Sequence, residues 1–465
     1  MTIAAGEVGP GGLVPNVDER KRVLGLLRRH GFNTTSFQAL EDGLSYWWDS
    51  EDACVAYADT TTAWVAAGAP ISSAEACGAV AMRFMAAARE AGRRAIFFAS
   101  QQRLAGVPGQ VSVQVGLQPI WDPRTWQARA QQSKSLRYQL KRARGKGVSV
   151  RRVAASELSD PGSPARIGIE RTIRRWLGTR RMSAMAFLVH VQPFSFAEER
   201  RAFVAERDGE VVGFVSAVPV YTRTGWFIED LIRDPSAPNG TMEALVDAVM
   251  QQAASEGSTW VTLGLVPLAG EVPGWMRRLG VLGRPLYDFA GLHAFKSKLA
   301  PVAWEPVFLT HGPGVPTSVA VLDALRAFAG GGLSSFVIRT LLEGPALVLW
   351  TLAILLIPWT IALGLVDAAR WFPSIAIRNA WIGFDLLVIA AMILLARRFE
   401  RRLATVTAIA VSLDGLLSLL QAAVWNAPRV RGVLDAVVVV SACAAPIFAA
   451  AVLWRGGYRD RARRT

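Results

Sequence analysis

The last third of the chain carries four apolar runs of bilayer-spanning length, and these runs constrain its architecture more than any other feature. About 20 residues of helix cross a hydrocarbon core. The runs lie near residues 345–366, 380–396, 404–425 and 433–454. The second is short and would lie with little tilt. Buried core helices are the alternative reading. The arginines orient the runs. Arg397, Arg398, Arg401 and Arg402 lie between the second and third runs, and five more follow the fourth. These nine face four in the other two links, Arg370, Arg378, Arg429 and Arg431. The more basic side faces the cytoplasm, so both termini are expected there. Trp350, Trp371, Trp381, Trp425 and Trp454 fall near the run ends, as interfacial tryptophans do. Asp385 and Asp414 sit inside runs, where a charge is costly. A hydrogen-bonded packing contact between helices explains them; a site for a headgroup or an ion is the sharper reading.

The first 310 residues have a different texture, with charges throughout. A length of 465 residues, with a net charge of +14, suggests about three domain-sized units. Cys54, Cys77 and Cys443 are too far apart for a disulfide framework or a zinc spacing, so a reducing compartment is expected. His30, His190, His293 and His311 have no metal spacing, and no metal is expected. The N-terminus has no apolar stretch after a basic start, so no signal peptide is expected.

Within this part the pattern reads as strands and helices in a recurring order. Residues 54–71 alternate like paired strands, 74–91 read as a helix, and 94–100 and 111–116 read as strands. Residues 203–221 form a hairpin turning at Asp208-Gly209. A strand at 226–232, a helix at 241–256, a strand at 259–268 and a short helix near 272–279 follow. The stretch EDLIRDPSAPNGTME, 229–243, carries the chemistry. Asp230 and Arg233 end a strand, and a Pro-Asn-Gly turn exposes the N–H groups of a helix start, a ready anion site. The bland alternative is a surface ion pair in an ordinary strand-turn-helix. Between the two halves, residues 134–146 form a strongly basic helix with Lys134, Arg137, Lys141, Arg142 and Arg144. It suits phosphates of RNA or an anionic lipid surface, or it is a solvated connector.

The second half has the element order of acyl-CoA N-acetyltransferases, but its loop is longer and holds one glycine, which disfavours a CoA pyrophosphate. Several blocks resemble the catalytic domain of bacterial phosphatidylglycerol lysyltransferases, the multiple peptide resistance factor family. They are GAPIS (68–72), AREAGRRAIFFAS (88–100), KSLRYQLKRARGKGVSV (134–150), FIEDLIRDPSAPNGTMEALVDAV (227–249), VTLGLVPLAG (261–270) and LYDFAGLHAFKSKLAPVAWEPVFL (286–309). The resemblance covers roughly residues 30–310. It implies an α/β fold of two fused acetyltransferase-like (GNAT) lobes, here followed by an all-α bundle of about four transmembrane helices.

It also implies transfer of an amino acid from aminoacyl-tRNA, with no other cofactor, to phosphatidylglycerol or a related membrane phospholipid. In well-known members a larger membrane part comes first and moves the product lipid across the bilayer. Here the spans follow, so a multi-pass anchor in the bacterial inner membrane is expected, with the catalytic part cytoplasmic. The expected division is a disordered N-terminus at 1–20, lobes at 21–130 and 151–310, and a basic connector at 131–150. A linker at 311–342, the spans at 343–455 and a basic tail at 456–465 complete it. By resemblance Asp230, Arg233, Asn239, Gly240, Lys296 and Lys298 fall on motif positions. Asp230 and Arg233 are the catalytic candidates. Glu229, Asn239, Gly240, His293, Lys296 and Lys298 are the substrate-binding ones. Asp230 could meet the donor α-ammonium or act as base, and Arg233 could hold a phosphate. Lys296 and Lys298, on an extended or irregular segment, suit the lipid phosphate or the tRNA end. A CoA-dependent N-acyltransferase and a non-catalytic lipid-binding protein are the alternatives.

Overall fold

The computed structural model describes residues 17–179, 187–189, 191–282, 287–330, 332, 345–397 and 400–462. His190, residues 1–16, and residues 331 and 333–342 of the expected linker lie outside them. Two compact units result, one within residues 1–336 and one within 337–465.

Alternating apolar residues build twelve strands in the first unit, and all join one sheet. They are β1 (Ser45–Ser50), β2 (Ala53–Asp59), β3 (Ala63–Ala67), β4 (Arg94–Ser100), β5 (Val111–Trp121), β6 (Ser149–Val153), β7 (Arg201–Arg207), β8 (Glu210–Val220), β9 (Gly225–Arg233), β10 (Trp260–Thr262), β11 (Val266–Pro267) and β12 (Ala303–His311). The order is β1-β2-β3-β4-β12-β5-β10-β9-β8-β7-β6, with β11 on β5. The β7–β8 turn at Asp208-Gly209 has φ of 54° and 79°, the left-handed pair that a two-residue hairpin requires.

The middle of the sheet crosses the expected lobe boundaries. β5 belongs by sequence to the first half, yet it pairs with β10 of the second. β12, the last strand, lies between β4 and β5 and is antiparallel to both. β9 and β10 pair in parallel only over Gly225–Phe227 and Trp260–Thr262. The expected strand at 259–268 is broken into β10 and β11 around Gly264, whose φ is 71°.

Helices cover the sheet. They are α1 (Val17–His30), α2 (Cys77–Glu90), α3 (Trp126–Gln132), α4 (Lys134–Gly145), α5 (Ala155–Ser159), α6 (Pro164–Leu177), α7 (Thr241–Ser255), α8 (Gly274–Leu282), α9 (Phe289–Lys298) and α10 (Thr317–Phe328). Three correct the sequence reading. Residues 17–20, placed in a disordered terminus, open α1, whose Val23, Leu26 and Leu27 are buried. The segment holding Lys296 and Lys298 is helical, with Asp288 as its N-cap accepting from the Gly291 N–H. Residues 317–328, placed in a linker, form α10, docked by a buried Asp323 that accepts from Arg94, Arg326 and Thr62. α4 forms as expected. The Ser133 side chain caps it, Leu136 and Ala143 are buried, and it packs on α7 in a core shared with Leu245 and Val246. Trp121 and Trp126 are fully buried there, and each indole N–H has a partner, the Leu299 carbonyl and Asp247.

The second unit is helical: α11 (Pro345–Leu365), α12 (Ala368–Trp371), α13 (Ile375–Arg397), α14 (Arg401–Gln421) and α15 (Val433–Ala462). Three helical stretches, Ile375–Ala396, Arg402–Arg429 and Val433–Ala451, are long and apolar enough to cross a membrane; among the described residues the first run supplies only a shorter apolar helix, Leu349–Leu365. Buried alanines (Ala404, Ala408, Ala449 and Ala450) line the interior, as small residues do where helices approach closely in lipid. Leu387 and Val440 stand outward, 72% and 65% exposed, which suits a lipid environment. Asp385 is buried and accepts from Thr360, and Asp414 accepts from Ser418. Asp385 thus makes the expected packing contact between helices, whereas the bond of Asp414 lies within α14 and joins no second helix. The expected basic tail begins inside α15.

Candidate active site

The site starts from an irregularity in β9. Neighbouring strand residues point to opposite faces, which would separate Glu229 from Asp230. The pairing of β9 with β8 slips there: Asp230 faces Ser216 and Ile228 faces Ala217, leaving Glu229 as the extra residue of a bulge. Bulges re-aim side chains in this way. Both carboxylates then share one buried environment. Arg200, at the entry to β7, donates to Glu229 Oε2 at 2.5 Å, to Ser216 Oγ at 3.1 Å and to the Ser195 carbonyl at 2.7 Å. Its guanidinium also lies 5.5 Å from the centre of the Phe37 ring. A third acid, Glu41, follows the short helical turn Phe37–Leu40 and is buried nearby.

Three carboxyl groups therefore face one guanidinium. Asp230 Oδ2, Glu229 Oε1 and Glu41 Oε1 are buried with no hydrogen-bond partner. Burial, reinforced by the charge of Glu229 and opposed by Arg200, pushes the Asp230 carboxyl up to about 8. Burial and then the charges of Glu229 and Asp230 hold Glu41 well above the usual carboxylate range. Buried polar atoms are nearly always satisfied. Three orphaned acceptors together make a receptor for a group with several N–H donors and positive charge. Among the described residues no cluster of three or more His, Cys, Asp or Glu side chains could hold a metal ion.

Beyond the bulge the loop holds a second set of groups. Arg233 ends β9 and donates to Asn239 Oδ1 at 3.2 Å. Asp234 is buried; hydrogen bonds from Ser236 and Arg175 outweigh its burial and hold its carboxyl below the usual range. Gly240 has φ of 96°, and a Cβ there would collide with the Gln139 carbonyl oxygen of α4. A glycine is thus required where α4 crosses the start of α7. This crossing brings the basic helix beside the loop. Lys134, Arg137, Lys141, Arg142 and Arg144 are all exposed, and none is paired with an acid among the described residues.

The remaining candidates stand elsewhere. Lys296 is buried, and its ammonium donates to the carbonyls of Leu263, Gly264 and Leu265 at 2.7, 2.9 and 3.1 Å. These carbonyls lie where the chain leaves β10. Burial lowers its pKa to about 7, while three acceptors match the three donors of the charged form. Lys298 is exposed, and His293 is exposed and stacked on Trp304 with ring centres 5.1 Å apart. The structure brings together Glu229 and Asp230, and separately Arg233, Asn239, Gly240 and the basic helix. Arg200 and Glu41 were not among the sequence candidates. Nothing in the stretch FQALEDGL distinguished Glu41 from its neighbour Asp42, and nothing distinguished Arg200 from its neighbour Arg201.

One continuous mixed sheet carrying a cluster of buried, unpartnered carboxylate oxygens defines the candidate active site. A family model described as "Phosphatidylglycerol lysyltransferase, C-terminal" matches residues 24–311. The chain belongs to this family. The phosphatidylglycerol lysyltransferase of Bacillus subtilis (strain 168) is 30% identical over 160 residues, 32% of this chain and 18% of that protein. The chain thus matches less than a fifth of that relative's length. Two solved structures share the fold over 68% of this chain and 98% of theirs, each with a TM-score of 0.58. They are the C-terminal domain of a putative lysylphosphatidylglycerol synthetase from Agrobacterium fabrum, 22% identical, and L-PGS from Bacillus licheniformis, 20% identical.

Proposed function

We propose that the chain is a membrane-anchored aminoacyltransferase that moves an amino acid from aminoacyl-tRNA to a hydroxyl of phosphatidylglycerol or a related glycerolipid. The observation that carries this reading is the excess of buried, unpartnered carboxylate oxygen around Glu229, Asp230 and Glu41. Every aminoacyl ester carries an α-ammonium group, which supplies the donors and the charge that these oxygens lack. Lodging it there fixes the ester carbonyl in place, and such positioning removes much of the entropic barrier. The lipid hydroxyl oxygen then attacks the carbonyl carbon. The ester bond to the tRNA ribose breaks, and the hydroxyl proton ends on the ribose oxygen. Arg233, held by Asn239 beside the start of α7, is placed to take a lipid or tRNA phosphate. The exposed cations of α4 supply sequence-independent attraction to the tRNA backbone. In this reading the second unit anchors the enzyme in the bacterial inner membrane, with the catalytic unit on the cytoplasmic side.

The test is purified full-length protein with a pool of charged tRNA and phosphatidylglycerol vesicles, followed by lipid mass spectrometry. Aminoacyl-lipid whose formation is abolished by RNase is the expected result. Product only with acyl-CoA, or none with any charged tRNA, would sink the proposal. Asp230→Asn separates two roles. If the carboxylate holds the donor ammonium, KM for the charged tRNA rises. If it is the base, kcat falls and the acid limb of the pH profile disappears while KM stays.

A further inference from the structure

The second unit carries polar machinery that anchoring does not require. Apolar length alone anchors a helix in a bilayer. Yet at one end of this unit, between α14 and α15, the chain makes a π-helical turn at Ala422–Asn426. Such turns are rare and concentrate at functional sites. Here the turn carries Trp425 and Asn426. The Trp425 indole N–H and Asn426 Oδ1 are both buried and have no partner. The Nε of Arg370, from α12, is buried and unpartnered as well.

These atoms belong to one cluster. Arg370 donates to the Arg429 carbonyl and to Asp435, and Arg429 donates to the Trp425 carbonyl at 2.6 Å. The Arg429 guanidinium stacks 3.7 Å above the Trp425 ring, and the Arg370 guanidinium lies 4.5 Å from that of Trp371. Asp435 also accepts from the Arg431 backbone N–H, so the acid is already committed to two partners. The cluster thus offers two orphaned donors in a cationic setting and one orphaned acceptor. A phosphate supplies acceptor oxygens for the Arg370 Nε and the Trp425 N–H. A hydroxyl supplies the donor that Asn426 lacks. The group that carries both is a glycerol phosphate.

We propose that this end of the second unit is a binding site for the phosphoglycerol headgroup of an anionic lipid, separate from the carboxylate site of the first unit. The headgroup lies at the height where interfacial tryptophans and arginines meet lipid. The proposal does not depend on the transferase reading, since it uses no residue of the first unit.

The experiment is native mass spectrometry of the full-length protein released from micelles with equal amounts of phosphatidylglycerol and phosphatidylcholine. A second arm adds soluble glycerol phosphate. Wild type is expected to retain phosphatidylglycerol about tenfold over phosphatidylcholine, a ratio that corresponds to about 1.4 kcal/mol. Trp425→Phe keeps an aromatic face for the Arg429 guanidinium and removes the pyrrole ring with its N–H, and an unchanged melting temperature separates the loss of the donor from a folding defect. Trp425→Phe and Arg370→Gln are expected to cut the preference at least threefold. Arg378→Gln, at a half-buried arginine near the same end whose side chain donates to its neighbour Asn379, is expected to leave it unchanged. Equal retention of the two lipids overturns the proposal. So does an unchanged preference in Trp425→Phe, or an equal loss in Arg378→Gln. Displacement of the lipid by millimolar glycerol phosphate would reassign the site to a soluble phosphate and overturn the lipid assignment.

Discussion

Two buried ionic sites in the first unit differ in whether their valences are filled. Lys296 has three donors and three carbonyl acceptors within 3.1 Å. The group around Asp230 has three carboxylates, one guanidinium and three oxygens without a partner. A filled site of this kind holds the chain together where it leaves β10. An unfilled one holds a place for something else. The sequence offers both positions alike as candidates, so the accounting of hydrogen bonds separates them.

The largest expected effect lies at the filled site. Lys296→Met keeps the length of the side chain but orphans three carbonyls, and it should destabilise the first unit by about 3–5 kcal/mol. Thermal melting, with activity measured well below the transition, checks this. Full stability with lost activity would instead return Lys296 to the substrate-binding set.

The unfilled site should behave in the opposite way. Asp230→Asn should lower transfer by about 10²-fold or more while leaving the protein as stable as wild type or more so. The pH dependence has a definite sign. Asp230 in the folded state titrates near 8, and in the unfolded chain near 4. Below about pH 4 both states are protonated and its ionisation costs folding nothing. Between about 4 and 8 the unfolded state ionises first, so the cost grows with pH, and above 8 it is constant. The melting temperature of Asp230→Asn relative to wild type should therefore climb from pH 5 to pH 8. A flat difference would remove the buried-acid interpretation.

Smaller effects belong to the loop and the basic helix. Arg233→Ala loses a half-exposed side chain with one hydrogen bond to Asn239, so the melting temperature should hold while KM for lipid rises about tenfold, the loss of one charge-assisted phosphate contact. Replacing Lys141, Arg142 and Arg144 with glutamine should flatten the salt dependence of KM for charged tRNA by roughly three phosphate contacts. If instead the salt dependence of vesicle binding changes and that for tRNA does not, α4 faces lipid.

Local signals made much of this molecule legible. The helix at 74–91, the strand at 94–100, the hairpin at 203–221 and the strand-loop-helix at 226–256 all announce themselves by period and turn residues, and each forms within a few residues of its expected bounds. Elements that depend on distant partners were silent. β12 is a strand because β4 and β5 leave a gap for it. α9 has almost no amphipathic pattern, and its end is fixed by Lys296 reaching carbonyls some thirty positions earlier. The site shows the same limit. Asp230 and Arg233 were visible as neighbours in one motif, but the carboxylate group is assembled from residues 41, 200, 216, 229 and 230. A bulge that no local pattern encodes turns two of them together.

The place of β12 at the centre of the sheet also sets a timetable. A ribosome releases the chain from its N-terminus, and early segments usually fold first. Here β4 and β5 must wait some two hundred residues for the strand that joins them. Pairings so distant in sequence form slowly. The sheet that carries the candidate site is therefore completed only shortly before the first apolar helix is made, so that closure of the sheet and emergence of the apolar helices fall into the same interval of synthesis.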